Sequence, residues 1–277
     1  MHPRTIAIIQ ARMGSSRLPG KVLLDIAGQP MLARVVERAR RANTLDGVAV
    51  ATTTDPSDDA ITALCIERGY PCYCGSLQDV LDRYYQAARA LSAEVIVRLT
   101  ADCPLIDPGV IDETVNAFLG IANGSSGLVN TPSPISKLPT THYPYDFSAN
   151  RLPPPWHRTY PIGLDVEVCT FRALERAWKE TSKPHHREHV MPYLYEEEGR
   201  FRVLLVNHEP DYGSLRWTVD TSEDLELVRQ IYARFPGRDD FTWLEVLALF
   251  EREPELAQIN AQVQHKSLTD VDERRAA

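Results

Sequence analysis

From Gln10 to Lys21 the chain reads Gln-Ala-Arg-Met-Gly-Ser-Ser-Arg-Leu-Pro-Gly-Lys. Three cations (Arg12, Arg17, Lys21), two hydroxyls (Ser15, Ser16) and two glycines (Gly14, Gly20) therefore share one short loop. This mixture suits a polyphosphate. Arginine grips phosphate oxygens in a fork, and backbone N–H groups can close on an anion where glycine removes the side chain. The spacing is not that of a Walker A loop: five residues, not four, separate the glycines, and Val22 rather than a hydroxyl residue follows the lysine. A solvated basic turn has a similar composition, so the loop alone leaves both readings open.

Two acids lie further along. Asp102 sits in Arg-Leu-Thr-Ala-Asp-Cys-Pro-Leu, residues 98–105. A carboxylate leaving a strand end beside a proline turn is placed to hold Mg²⁺, a hard cation that takes oxygen ligands. A turn or cap aspartate looks the same in sequence. Asp220 follows residues 215–219 and precedes Thr221 and Asp224, which have the spacing of a helix-capping pair. It is either one more capping acid or a second carboxylate converging on the same ion from another strand end.

The elements that must position these groups follow from apolar patterning. Residues 5–9 read as a buried strand, so the basic loop falls at a strand's carboxyl end, where open α/β sheets bind ligands. A helix starts near Pro30, with Leu32, Val35, Val36 and Ala39 on one face. Residues 48–52, 71–74 and 95–99 are further strands. Helices fall between them, one capped by Ser57 and carrying Ile61, Leu64 and Cys65, and one over 80–91. A fourth opens at Asp107-Pro108. Such alternation predicts an α/β fold with a mostly parallel sheet. Residues 130–160 are rich in proline, hydroxyl and aromatic residues with no period, which predicts a functional loop or insertion at about 131–158. Strands follow at 164–169, 201–206 and 215–219, with helices at 171–179, 225–235 and 243–250. The domain is expected to span 1–240, with a helical extension and polar tail over 241–277.

At 277 residues the chain can bury a full core. Its 30 Lys and Arg against 38 Asp and Glu exclude a broad nucleic-acid grip, which needs a basic face. No apolar run approaches a membrane span and the amino terminus lacks signal-peptide architecture, so a cytoplasmic protein is expected. Cys65, Cys72, Cys74, Cys103 and Cys169 are scattered and odd in number, which predicts five reduced structural thiols. His142, His157, His185 and His186 lack ligand-like spacing with acids and read as surface or loop residues.

The stretch from Ile9 to Lys21 resembles the amino-terminal signature of cytidylyltransferases that make CMP-activated sugars. 3-Deoxy-manno-octulosonate and acylneuraminate cytidylyltransferases are examples, and the likeness is greatest to the branch of spore coat polysaccharide biosynthesis protein F. It extends over residues 6–235 with a similar tail around Asn260, and departs at 131–157. The resemblance implies a nucleotide-diphospho-sugar transferase (GT-A, Rossmann-like) fold with a mixed, mostly parallel central sheet. Arg12, Ser15 and Lys21 would contact the phosphates of CTP, with Ala11, Gly14 and Arg17 beside them, and Gly75 and Ser76 would recognise the base. Asp102 and Asp220 would hold Mg²⁺, making Arg12, Lys21, Asp102 and Asp220 the catalytic set. Segments 158–168 and 187–193 also resemble that branch. From them Tyr160, Asp165, Glu167, Arg187 and His189 are candidates for binding a small acidic or sugar-like acceptor, with Glu188 in the same motif. Asp165 and Glu167 would share one face of a strand; a charged sheet edge and an ordinary helix start are the plain alternatives for these two segments. Relatives are often dimers, which implies a homodimer.

Two other functions fit parts of this pattern. A glycosyltransferase of the same fold would use a finished nucleotide-sugar and hold its metal with an Asp-x-Asp pair; here that spelling occurs only at Asp270-Val271-Asp272, with Asp165-Val166-Glu167 the nearest variant. A non-catalytic nucleotide-binding module would bind CTP and release nothing.

Overall fold

Thr5–Gln10 (β1) is apolar from Ile6 to Ile9 and is buried on both faces, as the central strand of a parallel sheet must be. Ile6 and Ile8 enter one core while Ala7 and Ile9 enter the other, following the side-to-side alternation of a strand. The fold is taken from a computed structural model, which describes residues 3–121, 143–153, 156 and 158–264.

After β1 come a two-strand ribbon, β2 (Asp25–Ile26) and β3 (Gln29–Pro30), then α1 (Met31–Ala39) and β4 (Gly47–Thr53). α2 (Asp59–Arg68), β5 (Cys72–Gly75), α3 (Val80–Ala90), β6 (Val95–Thr100) and α4 (Pro108–Leu119) complete the first half. The second half holds β7 (Phe147–Ala149), β8 (Glu167–Thr170), α5 (Phe171–Glu180), α6 (Pro184–His189), α7 (Pro192–Tyr195) and β9 (Val203–Leu205). α8 (Ser222–Ala233) and α9 (Trp243–Arg252) follow. The seven-stranded sheet has the order β5-β4-β1-β6-β8-β7-β9. β4, β5 and β6 run parallel to β1, β8 pairs antiparallel with both β6 and β7, and β7 is parallel to β9. β8 alone therefore runs against the rest, and the sheet is the mixed, mostly parallel one expected.

Helices cover both faces. Val35 of α1, Ile111 of α4, Val228 of α8 and Val246 of α9 share one core with Ala7 and Ile9. Tyr84 of α3, Leu174 of α5 and Leu194 of α7 share the other core with Ile6 and Ile8. Phe241 and Trp243 belong to the first of these cores, and Asp107 ties them in by accepting from the Trp243 N–H (2.8 Å). α8 begins with a reciprocal capping box between Thr221 and Asp224, as the spacing predicts.

Four expectations are corrected. Ser57 is not the cap before α2: Asp55 accepts from the Ser57 N–H and caps a short 3-10 turn, Pro56–Asp58, that leads into the helix. Residues 215–219 form no strand, and only Arg216 makes a bridge, to Ile162. Within 130–160, read as irregular, β7 joins the sheet; residues 122–142 lie outside the described residues, as do the polar tail from 265 and Asp270-Val271-Asp272. The cysteines are all free thiols, but Cys72 and Cys74 are exposed on β5 and fill no core. Among the described residues no helix is long and apolar enough to cross a membrane.

Candidate active site

β1 and β6 end side by side, with Gln10 opposite Thr100, and β4 flanks β1 on its other side. The chain goes from β1 to β4 on one side and reaches β6 on the other, so the crevice outside these strand ends is the topological switch point. A cleft of about 230 Å³ lies there, and its lining includes Gln10, Arg12, Gly14, Ser15, Arg17, Lys21, Thr100, Asp102, Glu188 and Asp220.

The loop after β1 is folded by its own backbone and by one buried acid. Ala11 donates its N–H to Ala51 O (3.1 Å), and the Met13 carbonyl accepts from Ser15 N and Gly20 N (3.0 and 2.9 Å). Met13 N–H donates to Oδ1 of Asp58 (2.6 Å), whose other oxygen takes the Thr53 hydroxyl. Asp58 is 1% exposed, so its charge is used to shape the loop. Gly20 turns the chain at φ 70°, a left-handed conformation that L side chains adopt only with strain. That turn sends Lys21 inward.

Lys21 is the centre of the site. Its Nζ donates to Asp102 Oδ2 (2.9 Å), Asp220 Oδ1 (2.9 Å) and Val219 O (2.7 Å). Burial by itself would lower the lysine pKa, but the two carboxylates outweigh it and the net direction is upward, so the ammonium stays charged. Burial acts to raise the pKa of Asp220, yet Lys21, Arg216 and Arg17 hold it well below the usual carboxylate range. Arg17 reaches Asp220 at 2.9 Å and Arg216 at 2.8 Å.

Asp220 is brought to Asp102 by the backbone. Val219 N–H and the Thr218 hydroxyl both donate to the carbonyl oxygen of Asp102 (2.8 and 3.1 Å). On the other side Ile162 donates to Leu215 O (2.8 Å) and accepts from Trp217 N (2.7 Å). These donors go to two different loops, which is why no strand forms. The approach is so close at Gly163, φ 109°, that a Cβ would lie 2.6 Å from the Thr218 nitrogen. Gly163→Ala is therefore expected to cost about 3 kcal/mol through steric displacement and backbone strain. An unchanged urea midpoint would contradict that packing.

Beneath Asp220, the fully buried Asp224 accepts Arg216 Nε and NH2 in a two-pronged pair (both 2.9 Å), the Asp220 N–H (2.9 Å) and Asn260 Nδ2 (2.8 Å). Residue types did not reveal the roles of Asp58, Arg216 and Asn260, which depend on contacts between distant segments.

The expected metal ligands are thus brought together. Asp102, Asp220 and the Val219 carbonyl present three oxygens to one point where a cationic group already sits. An all-oxygen set of this kind fits a hard dication such as Mg²⁺.

Other expected site residues divide. Asp165 precedes β8 and pairs with Arg158, with Arg151 3.7 Å away, while Glu167 starts β8 and is buried against Arg98. His189 lies among these groups; burial, and then the Arg98 charge, push its pKa below the usual imidazole value. Two of them, Tyr160 and Arg187, are placed elsewhere. Tyr160 is wholly buried, donates to Glu113 (2.8 Å) and packs on Trp243. Arg187 points away, pairing with Asp79 (3.2 Å) and donating to Trp178 O (3.2 Å). Glu188, not its neighbours, lines the cleft. Gly75 and Ser76 also fall outside that lining: a Cβ on Gly75 would lie 2.9 Å from the Tyr73 ring, and Ser76 Oγ accepts from Asp79 N (3.0 Å). His186, expected at the surface or in a loop, is instead 2% exposed in α6 and hydrogen-bonds Glu196. His142 and His157 lie outside the described residues.

Residues 6–267 match the family model described as cytidylyltransferase. The chain is 32% identical to the spore coat polysaccharide biosynthesis protein SpsF of Bacillus subtilis, over 90% of this chain and 95% of that one. Over 42% of its length it is 46% identical to a 3-deoxy-manno-octulosonate cytidylyltransferase of Anaeromyxobacter, covering 48% of that enzyme. Among solved structures, a cytidylyltransferase from Leptospira borgpetersenii superposes with a TM-score of 0.79 at 30% identity, covering 95% of this chain and 100% of that one.

Proposed function

The chain belongs to the cytidylyltransferase family, and we propose that it transfers CMP from CTP to a sugar-acid, sugar-phosphate or phosphonate acceptor in a Mg²⁺-dependent reaction that releases pyrophosphate. The observation that carries this is the meeting of Lys21, Asp102 and Asp220 at the head of a basic loop, at the switch point of the sheet.

The loop would hold the triphosphate, with Arg12 and the backbone around Gly14 and Ser15 facing the cleft and Lys21 at its floor. An acceptor oxygen attacks the α-phosphorus. A new P–O bond forms as the bond to the bridging oxygen breaks, and the electron pair leaves with pyrophosphate. Little covalent work falls to side chains; fixing the phosphates in line and neutralising charge on their oxygens supplies most of the acceleration. Asp102 and Asp220 would hold Mg²⁺, which supplies charge neutralisation at the α-phosphate when bound. A phosphate or phosphonate acceptor would need no protein base, whereas a sugar-acid hydroxyl would give its proton up to water as the new P–O bond forms. An acidic acceptor is supported by the three arginines, Arg98, Arg151 and Arg158, gathered about the two carboxylates of Asp165 and Glu167. Those pairings also leave Asp165 and Glu167 poorly suited to act as a glycosyltransferase metal pair.

Incubation with Mg²⁺, CTP and a panel of such acceptors is expected to yield one class of CMP conjugate, identified by its mass. Turnover of a finished nucleotide-sugar in place of CTP would contradict the proposal. Lys21→Ala is expected to reduce kcat/KM for CTP by about 100-fold or more. Unchanged kinetics would remove Lys21 from the site.

A further inference from the structure

Away from the cleft, His185, His186 and Glu196 each bring one ligand atom within 4.8 Å of the others. The histidines lie on α6 and the carboxylate follows α7 directly, so the cluster joins these two short helices. Glu196 Oε2 is 2.7 Å from His186 Nε2 and 3.1 Å from His185 Nε2, and Oε1 is 2.9 Å from His185 Nε2. His186 is buried, and its Nδ1 lies 2.6 Å from the Thr181 hydroxyl, which fixes the ring from its far side. The side chains of His185 and Glu196 are 43% and 36% exposed.

We propose that His185, His186 and Glu196 form a binding site for a Zn²⁺-class transition-metal dication, with water completing the coordination. Two imidazole nitrogens and one carboxylate oxygen are donors that Zn²⁺ favours, whereas Mg²⁺ takes oxygen. Bonds of about 2.0–2.2 Å place neighbouring donors of a tetrahedral ion roughly 3.4 Å apart. The nitrogen and oxygen atoms here, now in hydrogen-bond contact, need to part by only several tenths of an ångström. The Thr181 hydroxyl gives His186 the outer support that metal-bound imidazoles require. The exposed edges of His185 and Glu196 give the ion an entry path. An ion held here would clamp α6 to α7, and α6 carries Glu188 to the cleft.

The test is calorimetric titration of Zn²⁺ into the untagged chain with Mg²⁺ in excess. A Cys72→Ser, Cys74→Ser background removes exposed thiols that compete for the same ions. One Zn²⁺ per chain is expected, with affinity falling on the order of 100-fold in His185→Ala and in Glu196→Gln. Asp102→Asn should leave the binding intact. Zn²⁺ should raise the melting temperature of the background protein and not that of the two ligand variants, whose circular dichroism without metal shows whether they fold. Absence of saturable Zn²⁺ binding, or binding that survives both substitutions, would overturn the site and leave the cluster as a hydrogen-bonded latch.

Discussion

Asp102→Ala should lower pyrophosphate release by on the order of 1,000-fold while the protein stays folded. The separation of these effects follows from which atoms of Asp102 do what. Its carbonyl oxygen holds Val219 and Thr218, and those bonds survive truncation of the side chain. Its carboxylate faces Lys21 in the cleft, with a long contact from the Cys103 thiol (3.6 Å). Truncation leaves Lys21 paired with Asp220 and Val219 O, so the buried ammonium keeps partners. What would be lost is one of the two acids proposed to fix a cation beside the α-phosphate. Full activity in a folded Asp102→Ala protein would sink the metal assignment, as would wild-type turnover that persists in a chelator.

Asp224→Ala should do the reverse, failing first in stability. Asp224 has no exposed surface, and Arg216, its two-pronged partner, is itself buried. Removing the carboxylate leaves a buried guanidinium without its two-pronged partner, a class of change that costs about 3–5 kcal/mol. It also releases the Asp220 N–H, one arm of the α8 capping box and the Asn260 amide. A urea unfolding curve should show the loss as a large fall in midpoint. A shift worth less than about 1 kcal/mol, the value of a surface ion pair, would show that the pair carries little of the fold.

The contrast between these acids marks what could be read from sequence. The first half of the sheet was legible because apolar runs on its strands alternate with amphipathic helices and turn residues. The basic loop was legible because three cations cluster between glycines. Asp102 and Asp220 were visible as acids at strand ends, and their order along the chain with the loop strengthened the reading. Asp224 looked like a helix cap and is one, but its larger role depends on Arg216 and Asn260 folding back over it. Residues 215–219 alternate like a strand, with Leu215, Trp217 and Val219 apolar. Their backbone instead spans Ile162 and Asp102, and no local pattern encodes that choice. Tyr160 was drawn into the acceptor set by its neighbours in sequence, whereas packing turns its ring into the core. His186 and Glu196 are ten residues apart and meet only because α6 and α7 fold against each other.

The central claim is that the Lys21–Asp102–Asp220 constellation serves transfer of CMP. Its most direct test is pyrophosphate release by the wild-type chain with Mg²⁺, each of the four nucleoside triphosphates in turn, and the panel of acidic acceptors. Release should require CTP and one acceptor class, with one pyrophosphate formed per CMP transferred. CTP that binds but yields no pyrophosphate with any acceptor would contradict it and point to a nucleotide-binding module without turnover.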